Sequence, residues 1–223
     1  MNREIWTAVD DYFDGALVPP DAALDAALAA SEEAGLPRIA VPPNQGKVLW
    51  FLARLQGARR ILEVGTLGGY STIWLARALP EDGRLITLEA DPGHAAVARG
   101  NIEHAGLAKV VEVRLGPALE TLPEIAAEGL GPFDMVFVDA DKSAGADYFA
   151  WAVELSRPGT LIVVDNVVRR GEVVAPGNDD PDVLGVRRLA DAVAADPRVT
   201  GVALQTVGRK GHDGFLMALV EDA

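Results

Sequence analysis

Short apolar segments alternate with helical segments from Arg59 onward, and this alternation limits the chain to one class of fold. The apolar segments lack the polar alternation of a sheet with one solvated face. Such strands, each followed by a helix, predict a parallel sheet with helices on both faces. We predict strands over Arg60–Val64, Arg84–Glu89, Val110–Leu115, Phe133–Val138 and Gly159–Val164, and helices over Tyr70–Leu79, Pro92–Ala105, Ala118–Glu128 and Ala144–Ser156.

The last two apolar segments depart from this pattern. Val199–Val207 and Gly214–Val220 follow one helix and are joined only by GRKGHDG. A connection this short cannot cross over between parallel strands, so the two segments must pair antiparallel. We therefore expect an α/β fold whose mostly parallel sheet ends in an antiparallel hairpin.

The N-terminal part of the chain reads as helical. Two helices are expected within Asn2–Ala34, separated by the turn GALVPP at Gly15–Pro20. The first helix has an apolar face formed by Ile5, Val9, Tyr12 and Phe13. We expect this face to pack on the core or on a second subunit, or to cover the active site as a lid. Prolines favour extended backbone in the segment that follows. Asn44 is then expected to cap a helix over Gln45–Gln56.

The composition excludes several classes of protein. The 223 residues are 49% hydrophobic, enough to bury the core of one α/β domain with a small appendage. With no cysteine, metal ligands must be oxygen or histidine. The net charge of −13 disfavours binding to nucleic acid or to anionic membranes, which requires clustered Lys and Arg. Without a long apolar run or a basic leader, we expect a soluble cytoplasmic protein.

The segment EVGTLGGYS is a glycine-rich turn between a strand and a helix. Gly65 and the pair Gly68–Gly69 allow a sharp turn and a close approach to a ligand. The spacing is neither the dinucleotide motif G-x-G-x-x-G nor the phosphate-binding P-loop. Glu63 precedes the turn, where it can meet a cationic amino group. Glu89 ends the next strand 24 residues after Gly65, a position from which a carboxylate reaches ribose hydroxyls. These features predict a nucleoside cofactor.

Oxygen-bearing side chains follow two later strands. Asp139 and Asp141 come just after the fourth strand, and Asp165 and Asn166 after the fifth. Ligands of open α/β sheets bind beyond the carboxyl ends of the strands. Two carboxylates, an amide oxygen and water suit Mg²⁺, Mn²⁺ or Ca²⁺ better than zinc or copper. Asp141 taken singly also fits a helix N-cap.

Roles for Lys142 and for the three histidines are inferred from their positions in the sequence. Lys142 follows the acids directly and can form a solvated ion pair, or serve as general base or anion stabiliser. His94 and His104 are expected on a helix away from the strand ends, and His212 in the hairpin turn.

Several motifs resemble one known family. ILEVGTLGGYSTIWLARAL, LITLEADP, GPALETLP, FVDADK, LIVVDNVV and GHDGFLMALV occur in the order and spacing of class I S-adenosylmethionine-dependent O-methyltransferases of the catechol and caffeoyl-CoA type, particularly small bacterial members. The likeness covers nearly everything from Pro37 to Val220. It implies a Rossmann-like methyltransferase domain over residues 37–223, with a helical extension over residues 1–36. It also implies a sheet of seven strands, the last antiparallel.

The same resemblance implies roles for individual residues. The cofactor's methionine part would be lined by Glu63, Gly65, Thr66 and Ser71, its ribose by Glu89 and its adenine by Ala118, with further contacts from Val41 and Asp141. Asp139, Asp165 and Asn166 would hold the divalent cation, with Mg²⁺ expected first. Lys142 and Asp139 would be catalytic, and a homodimer is expected.

The expected function is therefore a metal-dependent O-methyltransferase that acts on a catechol-like or vicinal-diol small molecule. One alternative keeps the chemistry but methylates a hydroxylated uridine of tRNA, which the net charge of −13 disfavours. Another alternative is a nucleotide-binding oxidoreductase or a noncatalytic cofactor-binding module. The missing G-x-G-x-x-G spacing and the set of acids with Lys142 count against the oxidoreductase and against the noncatalytic module.

Overall fold

A computed structural model describes residues 3–222, so a helix start predicted at Asn2 lies outside the described residues. Strands and helices alternate through most of the chain. The helices are α1 (Arg3–Leu17), α2 (Ala22–Glu33), α3 (Pro43–Leu55), α4 (Tyr70–Ala76), α5 (Pro92–His104), α6 (Ala118–Ala127), α7 (Gly145–Glu154) and α8 (Pro181–Ala195). The strands are β1 (Arg60–Val64), β2 (Arg84–Glu89), β3 (Val111–Leu115), β4 (Phe133–Val138), β5 (Ser156–Asp165), β6 (Val199–Gly208) and β7 (Gly211–Val220).

The seven strands form one sheet in the order β3-β2-β1-β4-β5-β7-β6. Strands β1 to β5 pair parallel, whereas β7 runs antiparallel to both of its neighbours, β5 and β6. The predicted fold class, a mostly parallel Rossmann-like sheet with an antiparallel last strand, is confirmed. The carboxyl ends of β1, β2, β4 and β5 therefore meet at one edge of the sheet.

The buried strands supply two hydrophobic cores, one on each face of the sheet. Leu62 and Val136 belong to one core, while their neighbours Ile61 and Met135 belong to the other. Successive side chains of a strand point to opposite faces, so strands with apolar residues at every position must be covered on both sides. Helices supply that cover. Leu24 and Ala27 of α2 belong to the second core.

Two helices have boundaries that differ from those predicted. Helix α3 begins at Pro43, so the prediction of Asn44 as its N-cap is wrong. Proline is favoured at the first helical position because its fixed φ suits the helix and its missing N–H would have no partner there. Helix α1 continues through Gly15 to Leu17, beyond the predicted start of the turn.

The hairpin turn between β6 and β7 lies at the active-site edge and contacts the N-terminal segment. Strand β7 begins at Gly211, so the turn is shorter than predicted. The backbone N–H of Arg209 donates to Asp10 at 2.7 Å, and its guanidinium lies among Asp10, Asp11 and Asp14 of α1. Lys210 donates to the carbonyl oxygen of Ala40 at 2.9 Å. The turn thereby fixes α1 and the extended segment before α3 to the sheet.

No helix within residues 3–222 is both long and apolar enough to span a bilayer.

Candidate active site

The glycine-rich turn after β1 adopts the backbone that its sequence predicts. Gly65 and Gly69 have φ values of 98° and 81°, and Leu67 also has a positive φ of 50°. A Cβ on Gly65 would lie 2.3 Å from the carbonyl oxygen of Asp139. Glycine is needed at residue 65 for this close approach of two strand ends as well as for its backbone conformation. Thr66 is buried, and its hydroxyl lies 2.6 Å from that of Thr87.

Glu63 is fully buried beneath this turn and is surrounded by hydroxyl groups. Its carboxylate accepts hydrogen bonds from Ser71 and Thr87, both at 2.7 Å, and from Thr72 at 2.5 Å. Burial raises its pKa to about 7, although the three hydroxyl donors oppose that shift. Glu63 and Ser71, both predicted to line the methionine part of the cofactor, are thus bonded to each other.

Glu89 stands at the carboxyl end of β2, beside the glycine-rich turn. Its Oε2 accepts the backbone N–H of Leu67 at 2.8 Å, and its Oε1 accepts that of Asp91 at 3.0 Å. The prediction that His94 lies away from the strand ends is wrong, because its Nδ1 lies 3.6 Å from Glu89 Oε1. Asp91, two residues after the end of β2, is the N-cap of α5. The first turn of α5, which carries His94, therefore lies close to Glu89. Neither the strand pattern nor the helix pattern alone indicated this contact.

The acidic residues at the carboxyl ends of β4 and β5 come together as predicted for neighbouring parallel strands. Val138 pairs with Val164, so Asp139 and Asp165 follow at adjacent register positions. Asp165 is buried, and Asn166 has a left-handed backbone with a φ of 62°. Asparagine adopts that conformation more readily than most residues.

Lys142 is buried, and its side chain turns back toward Asp139, three residues earlier in the chain. Its Nζ donates to Asp139 Oδ1 at 2.8 Å. Asp141, by contrast, makes no side-chain capping bond to the backbone. Its carboxylate accepts the hydroxyl of Tyr148 at 2.5 Å and that of Ser143 at 3.1 Å. Lys142 thus lies inside the acidic site, and Asp141 lies at its exposed margin.

Gln45 is a contact of this site that the sequence did not indicate. From the first turn of α3, its Nε2 donates to Asp165 Oδ2 at 2.7 Å. The other oxygen, Oδ1, accepts the backbone N–H of Asn166 at 2.8 Å. The two contacting side chains are 120 residues apart in the chain, and no local motif links them.

The charge of the acidic pair fits a bound cation. Burial, and then the neighbouring charge of Asp139, raises the pKa of Asp165 to about 7. Among residues 3–222, Lys142 is the one ammonium group paired with these two carboxylates. No three His, Cys, Asp or Glu side chains among residues 3–222 are grouped so that they could hold a metal ion. The predicted ligand set therefore depends on the amide oxygen of Asn166 as its third protein ligand.

The remaining predicted cofactor contacts lie on two other elements. Val41 is buried in the segment that leads into α3. Ala118 is the first residue of α6 and is half-buried against the core. A separate concavity of about 320 Å³ lies at the opposite edge of the sheet, among Arg59, Arg60 and Arg84. Since ligands of such sheets bind beyond the carboxyl ends of the strands, the candidate active site is the edge that carries the acids.

Known proteins match the chain along nearly its whole length. A sequence profile described as O-methyltransferase matches residues 23–219. The chain is 53% identical to a catechol O-methyltransferase of Niastella koreensis over 221 residues, which cover 99% of this chain and 100% of the relative. Its structure matches that of a Bacillus cereus O-methyltransferase in complex with S-adenosylhomocysteine, with a TM-score of 0.97, 55% identity, and coverage of 99% of this chain and 100% of that chain. It also matches TomG of Streptomyces achromogenes, an O-methyltransferase involved in tomaymycin synthesis whose structure holds S-adenosylmethionine, with a TM-score of 0.96, 52% identity and full coverage of both chains.

The matched region includes the glycine-rich turn, Glu89 and the acids at the carboxyl ends of β4 and β5. The resemblance seen in the sequence motifs, and with it the prediction of an S-adenosylmethionine-dependent methyltransferase, is confirmed at the level of the family. The chain belongs to the O-methyltransferase family.

Proposed function

We propose that this enzyme transfers the methyl group of S-adenosylmethionine to a hydroxyl of a catechol-like or vicinal-diol small molecule, with the help of a divalent cation. The observation that carries the proposal is the meeting of Asp139, Lys142 and Asp165 at one sheet edge. Glu63 and Glu89 stand at the ends of the neighbouring strands β1 and β2. A cofactor site and an acceptor site would thus share one edge.

The cofactor side of the site supplies hydrogen bonds. Oε2 of Glu89 accepts the backbone N–H groups of Thr66 and Leu67, and Oε1 accepts that of Asp91, which aims the carboxylate and leaves an acceptor position on Oε1 for a ribose hydroxyl. Gly65, Thr66 and Ser71 would surround the methionine part, and Ala118, Val41 and Asp141 would complete the cofactor contacts. The chain fits the cofactor because the glycine-rich turn places backbone, and no bulky side chain, at the strand end.

On the acceptor side, Asp139, Asp165 and Asn166 would hold the cation. When bound, a hard cation such as Mg²⁺, Mn²⁺ or Ca²⁺ supplies positive charge that favours the ionised form of an adjacent hydroxyl. Lys142 is anchored to Asp139 by one of its three N–H bonds and has two more donors for the acceptor oxygen. In this ammonium form it can stabilise the ionised oxygen, whereas a neutral Lys142 amine would be needed to take the proton of the hydroxyl.

When bound, S-adenosylmethionine would supply the methyl group: the acceptor oxygen would bond to the methyl carbon as the carbon–sulfur bond breaks, and the electron pair of that bond would remain on sulfur. Opposite charges are neutralised in this step, so an enclosed site favours it. The residues around the acids are largely buried, since Asp165 and Lys142 are at most 9% exposed.

We also propose that the chain forms a homodimer through the N-terminal segment, with residues 1–36 as an extension of the catalytic domain of residues 37–223. Helix α1 buries none of its described residues within the chain, and Ile5 and Tyr12 are 59% and 71% exposed. An apolar face of this kind marks an interaction surface. Sedimentation at micromolar concentration tests the dimer, and a monomer would contradict it. Fractionation of cells tests the proposed cytoplasmic location.

Two variants separate the cofactor side from the acceptor side. Glu89→Gln removes the charge that meets the ribose and should weaken S-adenosylmethionine binding by about 1.5–3 kcal/mol. Asp165→Ala should abolish turnover of a catechol while calorimetry shows nearly unchanged S-adenosylmethionine binding. Loss of cofactor binding in Asp165→Ala would show that this aspartate does not serve the acceptor side. Methyl transfer to tRNA but to no catechol would overturn the proposed substrate class.

A further inference from the structure

Helix α3 is joined to strand β5 by two glutamine side chains, one at each end of the helix. Gln45 in its first turn donates to Asp165, the last residue of β5, at 2.7 Å. Gln56, just after the last helical residue, donates to the carbonyl oxygen of Gly159 near the other end of the strand. Only the first of these bonds reaches a residue of the proposed cation site.

The first turn of α3 is held in place by close packing. A Cβ on Gly46 would lie 2.4 Å from the indole ring of Trp74, so the helix backbone lies directly against that ring. Lys47 donates to the carbonyl oxygen of Leu17. Gln45 directly precedes these two contacts, and its backbone therefore has little freedom to move away from Asp165.

The hydrogen bonds of Asp165 leave room for one further partner on each oxygen. Oδ1 accepts the N–H of Asn166, and Oδ2 accepts the amide of Gln45. A carboxylate oxygen has two lone pairs, so each retains one. The amide donor is neutral, and it fixes the carboxylate without cancelling the negative charge that attracts a cation. Lys142, which bonds Asp139, does partly cancel such charge.

We propose that Gln45 is a positioning residue that orients Asp165 for the divalent cation. The inference rests on the proposed function, because it requires a cation at Asp165. Groups that orient metal ligands in this way typically change metal affinity about 10–100-fold when they are removed. Gln45 would act on the cation through Asp165 and would not touch the reacting atoms.

The test is a titration with Mn²⁺ in which free Mn²⁺ is followed by electron paramagnetic resonance, without cofactor or acceptor. Gln45→Met keeps the length of the side chain and removes the donor. It should weaken Mn²⁺ binding about tenfold or more. Gln56→Ala removes the matching bond at the other end of α3 and should leave Mn²⁺ affinity unchanged. Thermal unfolding of both variants separates a loss of stability from a loss of cation affinity.

A second variant keeps the test valid if Gln45→Met folds poorly. Gln45→Glu has nearly the same shape but places a carboxylate against Asp165. Added Mn²⁺ should raise its unfolding temperature more than that of the wild type, because the ion relieves the repulsion between the two carboxylates. An equal rise would overturn the contact with the cation site.

The outcomes also separate this inference from the proposed function. Wild-type protein that binds Mn²⁺, together with Gln45→Met protein of equal affinity, would overturn only the role of Gln45. Wild-type protein that binds no Mn²⁺ would overturn the cation site and the role of Gln45 together.

Discussion

Glu63 makes the stability of this protein depend on pH in a direction opposite to that of most carboxylates. Its pKa is raised from 4.5 to about 7, chiefly by burial. Between these values the folded protein holds a proton that the unfolded chain releases. The stabilising contribution is therefore complete below about pH 4.5 and is lost as the pH rises through about 7. The shift corresponds to roughly 3 kcal/mol of unfolding free energy.

Glu63→Gln removes the titration and preserves the shape. The amide oxygen in place of Oε1 can accept the hydroxyl of Ser71, and the amide NH₂ in place of Oε2 can donate to the rotatable hydroxyls of Thr72 and Thr87. The variant should thus gain stability relative to the wild type by up to roughly 3 kcal/mol between about pH 5 and about pH 8. Because Asp165 titrates in both proteins, its contribution cancels in the comparison.

Urea unfolding of both proteins at the two pH values measures this difference. Glu124→Gln, an exposed site on α6, is the control and should behave as the wild type at both. A difference between Glu63→Gln and the wild type that stays constant with pH would refute the reasoning. A variant that becomes relatively less stable at the higher pH would do so as well.

Two further predictions concern stability. Gly65→Ala should lower the free energy of unfolding by about 3 kcal/mol, because the new Cβ meets the carbonyl of Asp139 at a backbone φ that disfavours alanine. Gly100→Ala on α5, where open space surrounds the new methyl group, should instead stabilise by up to about 1 kcal/mol in the same denaturant assay. Arg209→Ala removes the cation paired with Asp14 and should cost about 1 kcal/mol, since the pair is partly exposed. It should also speed hydrogen exchange in α1, and unchanged exchange there would show that the hairpin turn does not hold this helix.

The sheet was predictable because its signals are local. Arg60–Val64, Arg84–Glu89 and Phe133–Val138 are apolar runs with turn residues at their ends, and the structure gives the strands the same bounds. The antiparallel hairpin followed from a connection too short for any crossover. The ends of helices were harder to predict. Pro43 and Asn44 are both residue types that favour a helix start, and in the structure α3 begins at the proline.

The site was predictable only in part, for a physical reason. Parallel strands deliver their carboxyl ends to one edge, so the meeting of Asp139 and Asp165 follows from strand order. Gln45 and His94 reach the site from helices, and their approach depends on how each helix packs on the sheet. Helix packing is a tertiary property that no short motif contains. The assignment of each residue to cofactor, cation or catalysis stays a prediction.

We predict that methyl transfer by this chain requires a divalent cation at the acids at the carboxyl ends of β4 and β5. The direct measurement is the rate of methyl transfer from S-adenosylmethionine to a catechol after exhaustive chelation, and again after a metal ion is restored. We predict that chelation abolishes transfer, that Mg²⁺ or Mn²⁺ restores it in the wild type, and that neither ion restores it in Asp165→Ala. Full activity toward the catechol in the chelated protein would contradict the account.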